Sequence, residues 1–213
     1  MSKGSIVRTT VNFLTFFVVF EAAIGAVIVL YEWVGLNSSL PRIVAVPIHL
    51  VNTFGLLACY AILYKVLLNN FKNIKQLWDR RFVFVAFLFL LSGATGSITA
   101  LADVLFPSAS FYEGLMEDFD RTSELLTRLR ILHPIVATGL SVALIIESRK
   151  IQKDYKIDVK FLQLLVIVAV TLGVLNVLSN IVLLLSIFHL AIADLLWITY
   201  IYVSMDKIKI NQQ

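Results

Sequence analysis

Long apolar runs separated by short polar stretches dominate this chain. The runs cover residues 10 to 34, 43 to 68, 82 to 104, 131 to 147, 159 to 179 and 183 to 205. Each run is long enough to cross roughly 30 Å of hydrocarbon as an α-helix. The pattern therefore predicts an all-α integral membrane protein built as a bundle of six transmembrane helices.

The polar connections between the runs alternate in charge. The second and fourth connections and both termini are basic, whereas the third connection is acidic. The basic residues in or beside the second and fourth connections are Lys65, Lys72, Lys75, Arg80, Arg81, Arg149, Lys150, Lys153, Lys156 and Lys160. By the positive-inside rule we expect these connections and both termini to be cytoplasmic, in a multi-pass protein of the cell membrane.

The third connection leads into the fourth span. Asp120 or Ser123 is expected to cap a helix that begins outside the bilayer and continues through Arg128 and Arg130 into the apolar run. Pro134 lacks a backbone N–H and should bend that helix. The fifth connection is expected to be a tight turn near Ser179-Asn180.

Composition agrees with a membrane protein and excludes other classes. Of 213 residues, 59% are hydrophobic and 15% are charged, which is more apolar surface than one soluble core can bury. The net charge of +4 resides between apolar runs, which argues against a nucleic-acid partner. Cys59 is the single cysteine, so the chain forms no intrachain disulfide and no cysteine metal cluster.

Each even-numbered span carries one histidine in its outer part: His49, His133 and His189. One such histidine would ordinarily be a packing residue. Three at one depth favour a cofactor site, because two neutral imidazoles on opposite faces of a porphyrin give six-coordinate haem iron. Zinc is less well supported, since no cysteine or carboxylate lies at ligand spacing to these histidines.

The histidines belong to a repeated hairpin. In each hairpin an odd-numbered helix with a small residue on its packing face precedes an even-numbered helix with a histidine. The small residues are Gly25 in the first unit, Gly93 and Gly96 in the second, and Gly173 in the third. Repeated hairpins that place ligands on facing helices are a common way to build a cofactor site in a bundle.

Two arginines lie outside the histidines on the same helix faces. Arg130 precedes His133 by one turn, and Arg42 precedes His49 by two turns. Arginine pairs well with the propionate carboxylates of a haem. The alternative is that the side chains extend to the membrane interface without binding haem. The two interpretations are equally good for Arg42, and propionate binding is favoured for Arg130.

Other polar residues within the spans have two readings. Burying the carboxyl groups of Glu21 and Asp194 in a membrane costs free energy, which suggests a function. That function could be proton relay or a hydrogen bond to a histidine that binds the cofactor. For Glu21, helix–helix contact beside Gly25 is at least as good an explanation. Asn52, Thr53 and Asn176 are expected to form interhelical hydrogen bonds.

Four segments together resemble the haem A synthase family, whose members convert haem O to haem A for cytochrome oxidase. The segments are Ile48-His-Leu-Val-Asn-Thr53, Gly93-Ala-Thr-Gly-Ser-Ile-Thr-Ala-Leu-Ala-Asp-Val-Leu-Phe-Pro107, Arg128-Leu-Arg-Ile-Leu-His-Pro134 and His189-Leu-Ala-Ile-Ala-Asp-Leu-Leu-Trp197. Full-size members of the family have eight helices in two similar halves, each with a histidine pair. The resemblance therefore implies one complete four-helix haem-binding half over 76–213, preceded by a helical hairpin over 1–75.

By this resemblance His133 and His189 would ligate haem b, and His49 would contact the substrate, haem O. The chain departs from the family before residue 10, where two helices, the partner of His49, a glutamate and an external cysteine pair have no counterpart. A homo-oligomer could complete the substrate pocket across a subunit interface.

The resemblance implies an oxidoreductase that converts the C8 methyl group of haem O to a formyl group, with an unidentified electron donor. The alternative is a non-catalytic membrane haem b protein that transfers electrons or haem, for which His133 and His189 suffice. A transporter or assembly scaffold without haem is a third hypothesis.

Overall fold

The computed structural model describes residues 3–69, 71, 73–179 and 182–211, and the regular structure within those ranges is helical. Two residues of the predicted connections, Lys72 and Asn180, lie outside them. The α-helices are α1 (Lys3–Leu30), α2 (Leu40–Leu68), α3 (Arg80–Leu105), α4 (Phe111–Phe119), α5 (Leu125–Leu129), α6 (Leu132–Tyr155), α7 (Lys160–Leu178) and α8 (Leu183–Asn211). A short 3₁₀ helix, Lys75–Trp78, precedes α3.

Six helical segments in the described part of the chain are long and apolar enough to cross a membrane, as predicted. The first ends at Leu30, earlier than the predicted residue 34. The chain turns there because Glu32 takes a left-handed conformation with φ 56°, and its carbonyl accepts a hydrogen bond of 2.9 Å from Asn37. The apolar run thus continues past the end of the helix into the first connection.

The predicted cap of the fourth span is wrong. Asp120 accepts hydrogen bonds from the backbone and hydroxyl of Thr122, each of 2.8 Å, and so closes a local turn. The helix that follows is α5, and it has Glu124 at its N-cap. A short aspartate side chain bonds readily to a backbone two residues on, and that local bond is made here in place of a helix cap.

The fourth span is also interrupted between α5 and α6, where a continuous helix was expected. Pro134 has no N–H to donate to the carbonyl of Arg130. That carbonyl instead accepts from the His133 amide at 3.2 Å and from the Thr99 hydroxyl at 3.3 Å. The proline effect therefore falls one turn before Pro134, beside His133.

The helices form a ring with one helix outside it. Neighbouring pairs in the ring are α2–α3, α3–α6, α6–α7, α7–α8 and α8–α2, whereas α6 and α8 face each other with few contacts. Helix α1 packs mainly on α2. The division into a 1–75 hairpin and a 76–213 bundle remains a prediction.

The two ends of the ring differ in charge and in packing. We name the end that carries the connections 69–79 and 156–159 the basic end, and the end that carries residues 106–124 the acidic end. Among the described residues, the buried ones of α6, α7 and α8 lie towards the basic end, beginning at Leu140 in α6 and Leu196 in α8, and finishing at Val166 in α7. The core of these three helices therefore lies in the half nearer the basic end, and a smaller buried cluster of Leu101, Ala102 and Leu126 lies at the acidic end.

Aromatic side chains fill this core. Trp197 is 4% exposed, lies 4.8 Å from Phe89 between ring centres, and donates its indole N–H to the carbonyl of Phe54 at 2.9 Å. The bond satisfies the buried indole and joins α8 to α2.

Ion pairs close the basic end. Lys65 of α2 binds Asp206 of α8 at 2.7 Å, and Lys207 binds Asp79, the N-cap of α3, at 2.5 Å. Together with the aromatic core, these contacts hold α2, α3 and α8 against one another at the basic end.

Candidate functional site

His133 is held from behind by α3. Its Nδ1 lies 3.1 Å from the carbonyl oxygen of Ser92 and 3.5 Å from the hydroxyl of Thr95. A Cβ placed on Gly96 would come within 3.0 Å of His133 Cε1, so a glycine is needed for the imidazole to approach this closely. With Nδ1–H donated to Ser92, Nε2 keeps the lone pair that binds metal.

His189 is held by α7 in the same way. A Cβ on Gly173 would lie 3.2 Å from His189 Cε1. The backbone of Ala169 is the neighbouring acceptor for the His189 imidazole, and Nδ1 of His189 makes no full hydrogen bond within the described residues. In both hairpins the glycine follows the acceptor residue by four positions, which is about one helical turn.

The two imidazoles face each other across the ring of helices. The ring centres of His133 and His189 are 6.3 Å apart and the ring planes are 83° from parallel. An imidazole nitrogen binds a metal at about 2.0 Å, and a five-membered ring with bonds near 1.33 Å has a radius of roughly 1.1 Å. Two imidazoles on one iron therefore place their centres about 6 Å apart, which matches this pair.

The helix segments around this pair are less closely packed than the rest. None of the described residues of α6 before Leu140, of α7 after Val166 or of α8 before Leu196 is buried. No group of three histidine, cysteine or acidic side chains in the described ranges is placed to hold a bare metal ion. Two facing imidazoles are instead a ligand set that fits the iron of a haem.

His49 occupies the matching position in the first hairpin but has a different partner. Its Nδ1 lies 3.4 Å from the Glu21 carboxylate and has no aligned hydrogen bond. A Cβ on Gly25 would lie 3.8 Å from His49 Cε1, an ordinary contact distance. His49 is thus tied to α1, and no imidazole of the described residues is in ring contact with it.

The Glu21 carboxylate is fixed by two side chains of α2. Asn52 donates to it at 2.5 Å and Thr53 at 2.6 Å, and Asn52 also donates to the carbonyl of Phe17 at 3.0 Å. The predicted interhelical hydrogen bonds of Asn52 and Thr53 are confirmed. So is that of Asn176, which donates to the Ser186 hydroxyl at 2.9 Å.

The prediction that these four glycines lie on the packing faces of their helices is confirmed. Gly25, Gly96 and Gly173 each lie against the histidine of their own hairpin, and Gly93 lies against Phe54 of α2. The sequence analysis did not predict that Ser92 and Ala169 provide the acceptors behind the histidines, because every residue type has a backbone carbonyl. The constant interval of four residues before each glycine was the available signal.

Arg130 is buried and makes five hydrogen bonds. It binds Asp118 at 2.8 Å, Glu117 at 3.2 Å and Asp103 at 3.3 Å, and it also donates to Ser108 and to the carbonyl of Gly114. Burial raises the pKa of the Asp118 carboxyl, and Arg130 opposes that shift. Arg130 therefore fastens α4 over the acidic end of α6, and a haem propionate would have to exchange with one of these carboxylates.

Arg42 is used in a similar way by the first hairpin. It donates to the carbonyls of Gly35 and Asn37 at 2.7 and 2.6 Å and so closes the connection between α1 and α2. Asp194, by contrast, has one buried carboxylate oxygen without a hydrogen-bond partner in the described structure. The predicted haem roles of Arg42 and Arg130, and the ligand roles of the three histidines, stay predictions.

Comparison with known proteins identifies the family. The sequence profile of COX15-CtaA, described as cytochrome oxidase assembly protein, matches residues 2–201. The chain belongs to this family. The resemblance to haem A synthases seen in the four sequence segments is thereby confirmed, and the six apolar helices are those of a multi-pass membrane protein of cytochrome oxidase assembly.

Two curated relatives add a further observation. Proteins named protoheme IX farnesyltransferase, from two strains of Thermus thermophilus, are each 27% identical to this chain over 216 residues. The match covers 97% of this chain and 35% of each relative, so the chain spans about a third of their length. No solved structure matches the chain significantly.

Proposed function

We propose that this protein is a haem A synthase-type oxidoreductase whose resident cofactor, haem b, is bound between His133 and His189. The observation that carries the proposal is the pair of imidazole rings 6.3 Å apart, each lying against a glycine of the preceding span, with Nδ1 of His133 on the carbonyl of Ser92. When bound, haem b would relay electrons from a donor protein to the site of oxidation.

The residues around the pair have defined tasks in this proposal. Ser92 fixes the tautomer of His133, and Gly96 and Gly173 allow α3 and α7 to press against the two imidazoles. Outer contacts of this kind orient a ligand and tune its basicity. Arg130 would pair with a haem propionate after exchange with a carboxylate of α4.

The proposed substrate is haem O, contacted by His49 of the first hairpin. Its C8 methyl group would be hydroxylated twice, each time with one dioxygen, two electrons from the donor and two protons and with release of one water, and the resulting geminal diol would lose water to give the formyl group. Arg42 lies two turns beyond His49 and is the candidate partner of a substrate propionate. A second copy of the chain would complete the pocket around His49, whose side chain is 36% exposed.

The Thermus relatives suggest what supplies the substrate. In each of them a region similar to this whole chain is joined to about two thirds of further sequence, and the named activity is farnesyl transfer to protoheme IX. Units that act in succession are often joined in one chain. We therefore propose that a protohaem farnesyltransferase acts before this protein and delivers its product within the membrane.

The proposed location is the cell membrane, with the basic end of the bundle in the cytoplasm. The connections at that end and the terminal residues Lys3, Arg8, Lys207 and Lys209 carry the positive charge that the positive-inside rule requires. Haem ligation would then take place in the outer half of the bilayer.

His49→Ala tests the enzyme against the alternative, a non-catalytic haem b protein for electron or haem transfer. If the protein is an enzyme, the variant should retain the low-spin absorption spectrum of haem b and lose conversion of haem O. Conversion is measured by extracting haems from membranes that also contain a haem O source and separating them by chromatography. Lys209→Ala, which removes a side-chain hydrogen bond to Asn69 at the basic end, is the control.

The other outcomes are equally informative. Unchanged haem content together with no conversion by the parent protein would favour the haem carrier. A purified parent protein with no low-spin haem spectrum would contradict both readings and leave a scaffold or transporter. Activity of a purified monomer would contradict the need for a second copy.

A further inference from the structure

Of the three hairpin histidines, His49 is the one with a carboxylate, that of Glu21, behind its imidazole in the described part of the chain. The corresponding groups at His133 and His189 are backbone carbonyls. We infer that Glu21 is a positioning residue for His49. Its carboxylate holds the imidazole in the Nδ1–H tautomer and makes Nε2 of His49 a more strongly donating ligand than Nε2 of His133 or of His189. The inference rests on the proposed function, in which His49 contacts the iron of the substrate haem.

The carboxylate is held in place for this role. Asn52 and Thr53 donate to different oxygens of Glu21, at 2.5 Å to Oε2 and 2.6 Å to Oε1. Oε2 is also the oxygen that lies 3.4 Å from His49 Nδ1. Two donors from α2 therefore fix the orientation of a side chain that comes from α1, and the histidine of α2 is placed against it.

A helix-packing role alone does not account for the histidine. Asn52 and Thr53 would join α1 to α2 whether or not an imidazole lay beside them. Moreover, the same position in the other hairpins is served by the backbone of Ser92 and Ala169, four residues before a glycine in each case. Glu21 precedes Gly25 by the same interval, so it occupies the acceptor position of the repeat.

The difference in charge has a chemical consequence. A backbone carbonyl presents a partial negative charge to Nδ1–H, whereas a carboxylate presents a full one. The stronger acceptor pulls the proton further from the ring, which raises the electron donation of Nε2. A metal bound to His49 should therefore be stabilised in its oxidised form relative to the same metal on an imidazole backed by a carbonyl.

The test uses a full chain in which His49 is the remaining histidine, namely the His133→Ala, His189→Ala double variant. Protohaem IX in detergent is the probe, and its affinity and reduction potential are measured with Glu21 or with Glu21→Gln. Glutamine is similar in size, but its amide can donate to Nδ1 and would then favour the tautomer with a protonated Nε2. We expect affinity to fall roughly 10–100-fold and the potential to rise.

Glu21→Asp and Glu147→Gln are the companion variants. Aspartate keeps the charge at a greater distance and should give an intermediate potential, which guards against misfolding of the glutamine variant. Glu147 is another carboxylate of a long apolar helix and lies against Arg81 at the basic end, so the same substitution there should leave the potential of the haem on His49 unchanged.

The outcomes separate this inference from the function on which it rests. Haem binding by the double variant with equal affinity and potential in Glu21→Gln would overturn the role of Glu21 and leave the His49 contact standing. No haem binding by the folded double variant, even with Glu21 present, would overturn both.

Discussion

His133 and His49 occupy equivalent positions in two hairpins, yet the groups behind and in front of their imidazoles differ. Behind His133 is the neutral carbonyl of Ser92, and in front of it is His189. Behind His49 is the carboxylate of Glu21, and within the described residues no second imidazole is in ring contact with it. One scaffold therefore supports two different ligand environments.

The difference is what two haem sites with different tasks would require. An iron between two imidazoles has no open position, so it suits electron transfer. A site with one imidazole leaves the opposite face open to substrate chemistry or to a partner subunit. The repeated hairpin thus places the histidines similarly, and in the proposed function the acceptor behind each one and the residue facing it would set the chemistry.

The largest expected effect comes from removing one member of the facing pair. His133→Ala should weaken haem b binding more than about 100-fold, since loss of a ligand exceeds the 10–100-fold typical of its outer partners. The absorption spectrum and the haem content of the purified protein measure it. His189→Ala should behave alike, because both imidazoles serve one iron.

The comparison between the hairpins predicts that His49→Ala leaves this low-spin spectrum in place. Equal loss of haem b in His49→Ala and His133→Ala would mean that the three histidines serve one site, and the distinction between the two environments would be lost.

A smaller effect is expected at the arginines beyond the two sites. Arg130→Ala leaves Asp103, Glu117 and Asp118 without their shared cation, which should cost about 3 kcal/mol of local stability. Hydrogen exchange of the amides of α4 measures the loss. Arg42→Ala should loosen the connection 31–39 and leave α4 unchanged.

Arg121→Ala is the control, as this exposed arginine lies in the same connection as α4. Protection of α4 that survives in Arg130→Ala would show that the carboxylates do not hold the helix, and would favour a direct role of Arg130 towards haem propionates.

The smallest effect is expected at the glycines. Gly96→Ala places a Cβ 3.0 Å from His133 and should cost about 1–3 kcal/mol through overpacking. Gly25→Ala meets His49 at 3.8 Å and should be neutral or stabilising by up to about 1 kcal/mol, because alanine is the better helix former. Thermal unfolding in detergent and haem retention measure both variants.

Equal effects of the two substitutions would indicate that His49 is held as closely as His133. A destabilised Gly25→Ala variant with an unaffected Gly96→Ala variant would mean that His49 is packed more closely than His133.

Much of the fold could be predicted from the sequence. The six spans follow from apolar length, which is a local property of the chain. The place of Gly25, Gly96 and Gly173 on packing faces followed from the repeat, whereas their contact with histidines did not. The hydrogen bonds of Asn52, Thr53 and Asn176 followed from the cost of polar groups in a membrane.

Other features were decided by local competition that a pattern does not reveal. Asp120 and Glu124 both precede the fourth span, and the bond from Asp120 to Thr122 determined that the helix begins later. The effect of Pro134 beside His133 was predicted, but the hydrogen bond that the Thr99 hydroxyl of another helix donates to the freed carbonyl of Arg130 was not.

The sequence by itself determined how many helices cross the membrane, which of them carry a histidine, and where charge accumulates. Only the tertiary structure decided that His133 faces His189, that Glu21 faces His49, and that Arg130 is shared among three carboxylates. The physical reason is that helix formation depends on neighbours within a turn or two, whereas these contacts join residues from 12 to 56 positions apart. Their formation depends on the rotation and relative depth of packed helices, which periodicity alone leaves undetermined.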